Sequence, residues 1–212
     1  GFGTLVYYIH KTAGKWGLTF FRWLISGGVF LALKKRAKTL ESSTVFSNFA
    51  VLSGFTIISS AWMLRPHLLG NLFICLLLLI LTIYKEEKKE NVLHWIPVLT
   101  LLWANTHASL PIAFVLILIF LGSNVIENLL KKEAKPPTSW EFPNRKWLWL
   151  LPLSFLSSLI NPYHIKIYKY FFKIGSTVKQ NILEWLPLAA FFSWDTSHYF
   201  LVFILFHSLF LI

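Results

Sequence analysis

Three short polar stretches interrupt the apolar runs of this chain, and they carry the residues that could do chemistry. They are "LRPHLL" at 64–69, "WANTH" at 103–107 and "NPYH" at 161–164. Guanidinium, imidazole and amide groups bind the oxygens of phosphates, sugars and the protein backbone. Such groups are costly at membrane depth unless they line an aqueous cavity, so the stretches predict a binding site. The candidate binding residues are Arg65, His67, Asn105, His107, Asn161 and His164.

Two of the stretches also have a structural interpretation that remains open. Pro66 suits the first turn of a helix, where free N–H groups beside Arg65 would attract a phosphate. Arg65 could equally extend to the phosphate of a lipid. "WANTH" could be a corner between two helices, in which Asn105 and Thr106 cap the next helix and His107 bonds a backbone carbonyl.

Carboxylates that could act as a base are scarce. Glu184, in "ILEWLPL", is a candidate base, metal ligand or partner of Arg65, or it pairs with a lysine of 166–179. Asp195 is the only Asp, so no pair of Asp carboxylates can be assembled. The histidines lack the spacing of a zinc motif, and therefore neither a metal site nor a cofactor is predicted.

The composition predicts a membrane protein. The 212 residues are 56% hydrophobic and only 14% charged, and the mean hydropathy is +0.60, whereas soluble domains carry about 25% charged residues. The single cysteine, Cys75, excludes a disulfide framework. The net charge of +11 comes from lysines and arginines clustered between apolar runs. That pattern favours loops at an anionic lipid surface and not a nucleic acid partner.

The predicted fold is an all-α, polytopic helical membrane protein with about seven membrane segments, some of them short or broken. Residues 1–212 form one transmembrane domain. The chain begins without Met and ends inside an apolar run, so we expect a piece of a longer protein. The apolar segments are about 17–33, 45–64, 68–84, 92–104, 108–126, 147–160 and 199–212.

Charge assigns the two sides of the membrane. If every apolar segment crosses, the basic loops at 34–44, 85–91 and 127–146 share one side, which the positive-inside rule makes cytoplasmic. The three polar stretches then share the outer side. Trp103 and Trp185 could stack on a sugar or lie in the aromatic belt, and we predict the belt.

A basic amphipathic helix is predicted at 165–179 on the outer surface. Lys166, Lys169 and Lys173 recur at helical spacing beside an apolar stripe, which is typical of a helix lying on a membrane. These lysines join the candidate binding residues. A second interfacial piece is predicted at 1–12.

The motifs "RPH", "LLWANTHASL", "LINPYHIKIY" and "ILEWLPL", in this order, resemble those of bacterial polytopic membrane proteins related to GT-C-type glycosyltransferases. The resemblance covers most of 5–187. It departs from the family at Ala108 and His164, where the family has glycine.

The resemblance implies an inner-membrane enzyme that transfers a sugar from a polyprenyl-phosphate donor on the outer face. It also implies that the catalytic carboxylate lies upstream of Gly1. Arg65 and the three lysines would then hold the lipid phosphate. Asn105 and His107 would orient hydroxyl groups of the donor or the acceptor.

Two other classes stay open. A transporter or flippase for a lipid-linked sugar would use the same outer cavity without a carboxylate, and the segments 92–107 and 147–164 would be its discontinuous helices. A non-enzymatic membrane scaffold would tolerate replacement of the polar stretches. Protein partners cannot be inferred from these residues.

Overall fold

The computed structural model describes residues 1–45, 47–49, 51, 66–131 and 145–177, apart from the side chains of 128–131 and 174–177. Within these ranges the chain is helical and contains no β-strand, which confirms the all-α prediction there. The α-helices are α1 (Phe2–Thr39), α2 (Pro66–Glu86), α3 (Trp95–Thr106), α4 (Pro111–Lys131), α5 (Lys146–Ser158) and α6 (Lys166–Thr177), and a 3₁₀ helix (Glu90–His94) precedes α3.

Five of the seven predicted apolar segments overlap these helices, and the other two lie mostly or wholly outside the described residues. By length and composition, α1 and α2 are candidate membrane spans, and Pro111–Glu127 of α4 is a shorter apolar helix. The segments that overlap are 17–33, 68–84, 92–104, 108–126 and 147–160.

Helix α1 is broken at Gly14. This residue has φ 59° and ψ −151°, a conformation that glycine adopts at little cost because it has no Cβ. The break separates residues 2–13 from 15–39. The sequence predicted two separate pieces here, an interfacial one at 1–12 and a span at 17–33, and the structure joins them through the kink.

Helices α1 and α2 run in the same direction. A Cβ added to Gly28 would lie 3.2 Å from a methyl carbon of Leu72. Farther along both helices, Arg36 Nε donates to Thr82 Oγ1 at 3.1 Å. The predicted segment at 45–64 lies between them in the chain and is mostly outside the described residues.

Helix α4 runs in the same direction as α2. At the start of both helices, a Cβ on Gly70 would lie 3.1 Å from Ser109 Oγ. At their other ends, Lys85 Nζ and Glu127 Oε2 form an ion pair at 2.8 Å. The two helices therefore cover about the same height.

Helices α3 and α5 run in the same direction as each other. Lys146, at the start of α5, forms an ion pair with Glu90, which precedes α3. Beyond the last turn of α5, the carbonyl of Ile160 accepts a 2.7 Å hydrogen bond from Asn105 Nδ2. The helices thus have two ends. We call them the motif end (66–70, 103–109 and 158–164) and the lysine end (34–39, 82–90, 127 and 145–146).

The interior of the first unit is apolar. The chain divides into two units between Tyr168 and Lys169, and α6 passes from one to the other. In the first unit the core extends from Trp103 near the motif end to Trp147 near the lysine end. The largest fully buried side chains are Trp103, Leu68, Leu77, Leu93, Ile96, Leu110 and Ile117.

Candidate functional site at the motif end

The turn between α3 and α4 holds a chain of three side chains. Trp103 Nε1 donates to Ser109 Oγ at 3.0 Å, and that hydroxyl lies 2.6 Å from His107 Nδ1. The backbone N–H of Ser109 also donates to His107 Nδ1, at 3.1 Å. Trp103 is fully buried, so the chain is anchored in the core, and it ends at the half-buried His107.

This turn packs directly against the first turns of α2. A Cβ added to Gly70 would lie 3.1 Å from Ser109 Oγ and 3.3 Å from His107 Nδ1, which is tighter than most real contacts. Glycine at this position therefore allows the close approach. The structure thus brings the start of α2 and "WANTH" together, with His67 close enough to affect the titration of His107.

The imidazole of His107 is held in its neutral form. Burial lowers the pKa of His107 below its usual value, because a charged ring would lose water contacts, and the neighbouring His67 lowers it further. Neutral imidazole has one donor and one acceptor nitrogen. The turn therefore presents a fixed, uncharged group.

Asn105 joins the second polar stretch to the third. Its Nδ2 donates to the carbonyl of Leu101 at 2.9 Å and to that of Ile160 at 2.7 Å. Thr106 Oγ1 donates to the carbonyl of Leu102 at 2.9 Å. Asn105 and Thr106 therefore bond back into α3 and across to the 158–164 turn, and they do not cap the next helix.

The turn at 158–164 satisfies its own polar groups. Asn161 Nδ2 donates to the carbonyl of Ser158 at 2.7 Å and to that of His164 at 3.4 Å, while its Oδ1 accepts the N–H of Tyr163 at 2.7 Å. His164 Nδ1 lies 3.0 Å from the carbonyl of Leu159. Asn161, at 6% exposure, shapes the turn, and His164 is exposed beside it.

His164 adopts a left-handed backbone conformation with φ 45°. Glycine favours this region, whereas other residues adopt it at a cost. This is the position at which the resembling family has glycine. Ala108, the other departure, is not among the described residues with positive φ.

The predicted basic helix is present as α6. Lys166, Lys169 and Lys173 are exposed on it, and Lys166 belongs to the first unit. Lys169 and Lys173 belong to the second unit, where Phe171 and Phe172 pack edge to face at 5.6 Å. Arg65, Glu184 and Trp185 lie outside the described residues.

Three residues of the motif end were missed or misassigned by the sequence interpretation. Trp103 was predicted in the membrane belt, but it is fully buried, because its indole N–H has a partner inside. Ser109 was not singled out, although a serine two residues after a histidine can bond back to the ring. Gly70 lies one helical turn after Pro66, and nothing in the sequence indicated that it contacts Ser109 and His107.

The lysine end is organised by charge. Its ion pairs are exposed: Lys89 Nζ–Glu87 Oε2 is 2.6 Å, and both partners of Lys85–Glu127 are 39% exposed. The hydrogen bonds of Glu87 to Lys89 and Thr39 lower its carboxyl pKa. A half-open cleft of about 720 Å³ lies at this end, lined chiefly by Lys34, Lys35, Lys38, Thr39, Glu41 and Glu87.

Within the described residues, no group of three His, Cys, Asp or Glu side chains could hold a metal ion. The motif end offers hydrogen-bond donors and acceptors from its amide, hydroxyl and imidazole groups. No family model, no curated protein and no solved structure matches this chain.

Proposed function

We propose that the chain is a polytopic membrane protein with about seven membrane segments, and that its motif end binds a polyprenyl-phosphate-linked sugar and serves sugar transfer from it. The observation that carries this proposal is the gathering of the three polar stretches at one end of the helices, held by the bonds of Asn105 and Ser109 and the fit at Gly70.

The outer surface of the first unit supports the membrane setting. Large apolar side chains on α1, α3, α4 and α5 are exposed over contiguous faces, whereas soluble monomers rarely expose large apolar patches. A bilayer is the solvent in which these faces are stable. The exposed residues include Trp16, Phe20, Trp23, Val98, Leu102, Val115, Leu118, Ile119, Leu148, Trp149, Leu153 and Leu156.

Buried hydroxyl groups between α3 and α5 support the same setting. Thr100, which is fully buried, donates to the carbonyl of Ser154 at 3.0 Å or to that of Pro97 at 2.9 Å. Ser157 Oγ also donates to the carbonyl of Pro97, at 2.9 Å. Small residues and hydroxyl groups that bond across helices are typical of membrane helix interfaces, where the lipid-facing side is apolar.

The orientation follows from the two ends. The lysine end faces the cytoplasm, because cytoplasmic loops carry the excess of lysine and arginine. The motif end faces the outer side, where polyprenyl-linked sugars are used by the enzymes that the motifs resemble. His67, His107 and His164 contribute donors and acceptors there.

The proposal is tested with the protein in its full natural length, reconstituted in proteoliposomes. Transfer of a labelled sugar from polyprenyl-phosphate donors is measured for the wild type, for His107→Ala and for Asn105→Ala. The matched control is His94→Ala, at the lysine end, where Nδ1 bonds the carbonyl of Asn91. We expect transfer by the wild type and the control and its loss in the two other variants with folding retained.

Movement of the lipid between leaflets without any sugar transfer would replace the enzyme by the transporter alternative. The predicted pair of discontinuous helices for that alternative is α3 and α5, which run in the same direction. If neither sugar transfer nor lipid movement is seen for any of the proteins, the wild type included, the scaffold alternative is favoured.

A further inference from the structure

The tautomer of His107 is determined by its neighbours. A backbone N–H can only donate, so the bond from Ser109 N at 3.1 Å requires a lone pair on His107 Nδ1. The neutral ring then carries its proton on Nε2. Ser109 Oγ, 2.6 Å from the same nitrogen, must also donate, because Nδ1 holds no hydrogen.

The indole of Trp103 orders the serine hydroxyl. Its N–H donates to Ser109 Oγ at 3.0 Å, which leaves the hydroxyl hydrogen free for His107. Indole is a donor only, so the direction of both bonds is fixed. The order of donation runs from Trp103 through Ser109 to His107, and it ends on the one ring nitrogen that accepts.

The Nε2–H of His107 is the group left over. No partner for it lies in the part of the chain that the structure describes. This nitrogen is not among the buried side-chain atoms that lack a partner, so it is accessible to a ligand oxygen. Because the neutral state is favoured by burial, this group donates without carrying charge.

We propose that Ser109 is a positioning residue that holds His107 as the Nε2–H tautomer, and that His107 donates a hydrogen bond from Nε2 to an oxygen of the lipid-linked sugar. This inference rests on the proposed function for the identity of the ligand. His107 is then a donor and not a general base, since its lone pair is already occupied.

Two other histidines of the chain provide an internal contrast. The Nδ1 atoms of His94 and His164 each lie 3.0 Å from a backbone carbonyl, which can only accept. These rings therefore carry a proton on Nδ1. The lone pair of neutral His164 lies on Nε2, so the two histidines of the motif end offer opposite groups.

The tautomer is measured first, by ¹⁵N NMR of the histidine-labelled full-length protein at neutral pH. The signal of His107 is assigned by its absence from the spectrum of His107→Gln. We expect an unprotonated Nδ1 and a protonated Nε2 for His107. Ser109→Ala removes the hydroxyl donor and keeps the backbone N–H, so we expect it to introduce a minor population with protonated Nδ1, and we expect Ser109→Thr to restore the wild-type signal. A protonated Nδ1 in the wild type, or no change in Ser109→Ala, overturns the positioning role.

The donor role is measured by binding. Gln places an amide N–H near the position of Nε2, whereas Asn places it near Nδ1. We expect His107→Gln to bind the lipid-linked sugar within a few-fold of the wild type and His107→Asn to bind it roughly ten- to hundred-fold more weakly. Equal losses in both variants, with thermal transitions unchanged, overturn the role.

Two ligands distinguish which oxygen accepts. If affinity for sugar-free polyprenyl phosphate falls equally in His107→Asn, the acceptor is a phosphate oxygen. If only the lipid-linked sugar is affected, the acceptor is a sugar oxygen. A wild type that binds neither ligand refutes the proposed function and the ligand contact, while the NMR result on Ser109 stands separately.

Discussion

The motif end and the lysine end of the same helices are held by different forces. At the lysine end, exposed pairs such as Lys85–Glu127 join the helix ends through charge. At the motif end, neutral side chains form directional hydrogen bonds: Ser109 Oγ accepts from the buried Trp103, and Asn105 Nδ2 donates to the carbonyl of Ile160. Exposed ion pairs tolerate several geometries, whereas directional bonds tolerate few. We therefore expect substitutions at the motif end to cost more.

The largest difference is expected for tryptophan. Trp103→Ala removes a fully buried side chain and the donor to Ser109, so the free energy of unfolding should fall by about 3–5 kcal/mol. Trp149→Ala, on a side chain that is 79% exposed, should change it by no more than about 0.5 kcal/mol. Denaturant unfolding in detergent, followed by helical circular dichroism, compares the two. Similar losses would contradict the anchoring role of Trp103.

The next largest difference in stability is expected between leucine substitutions at two glycines. Gly70→Leu places a side chain where even a Cβ meets Ser109 and His107, and overpacking of this kind costs about 1–3 kcal/mol. A Cβ on Gly122, in α4, meets nothing within 4 Å. Gly122→Leu should therefore be neutral or stabilising, because leucine favours a helix. Thermal unfolding tests the pair, and equal stability of the two variants would show that the turn does not depend on close packing.

The titration of His107 should affect stability in acid. Its folded-state pKa lies below the ordinary value of 6.5, so below about pH 6.5 the unfolded chain binds the proton more readily. This contribution to stability is complete above that pH and decreases as the pH falls towards the folded-state pKa. Unfolding between pH 8 and 5 should therefore depend less on pH in His107→Gln than in the wild type. The same slope in both proteins would contradict the prediction.

The smallest effect is expected at the lysine end. Lys85→Gln breaks the pair with Glu127, and because both side chains are 39% exposed the loss should be below about 1 kcal/mol. High salt should remove the difference between variant and wild type, since it screens exposed charges. Stability curves at two salt concentrations measure this. A larger loss that persists in salt would place the pair in the core of the fold.

The sequence predicted the places of polar residues better than their bonds. Hydrophobic runs located α2, α4 and α5, and the turn signals at Pro66 and Asn161 marked helix boundaries because proline and asparagine act locally. The contact of Gly70 with Ser109 joins residues 39 positions apart. No local pattern encodes such a contact, since a glycine in an apolar run has many reasons to be there.

Side-chain roles were predicted less well for a related reason. Trp103 fitted the pattern of a membrane belt, and only the position of Ser109 shows that its N–H is used inside. Likewise, Asn161 carried the signature of both a turn and a ligand. Its three bonds within 158–164 show that the turn uses its polar atoms.

The length of α5 has a consequence for the lipid around it. Its 13 residues span about 20 Å, whereas a typical hydrocarbon core is about 30 Å thick. In a bilayer this mismatch is relieved by local thinning or by a turn that sits below the headgroups. The headgroup of the proposed polyprenyl-linked ligand would then reach the 158–164 turn without leaving the membrane. Acyl-chain length should accordingly tune the proposed transfer activity, with thinner bilayers favouring it.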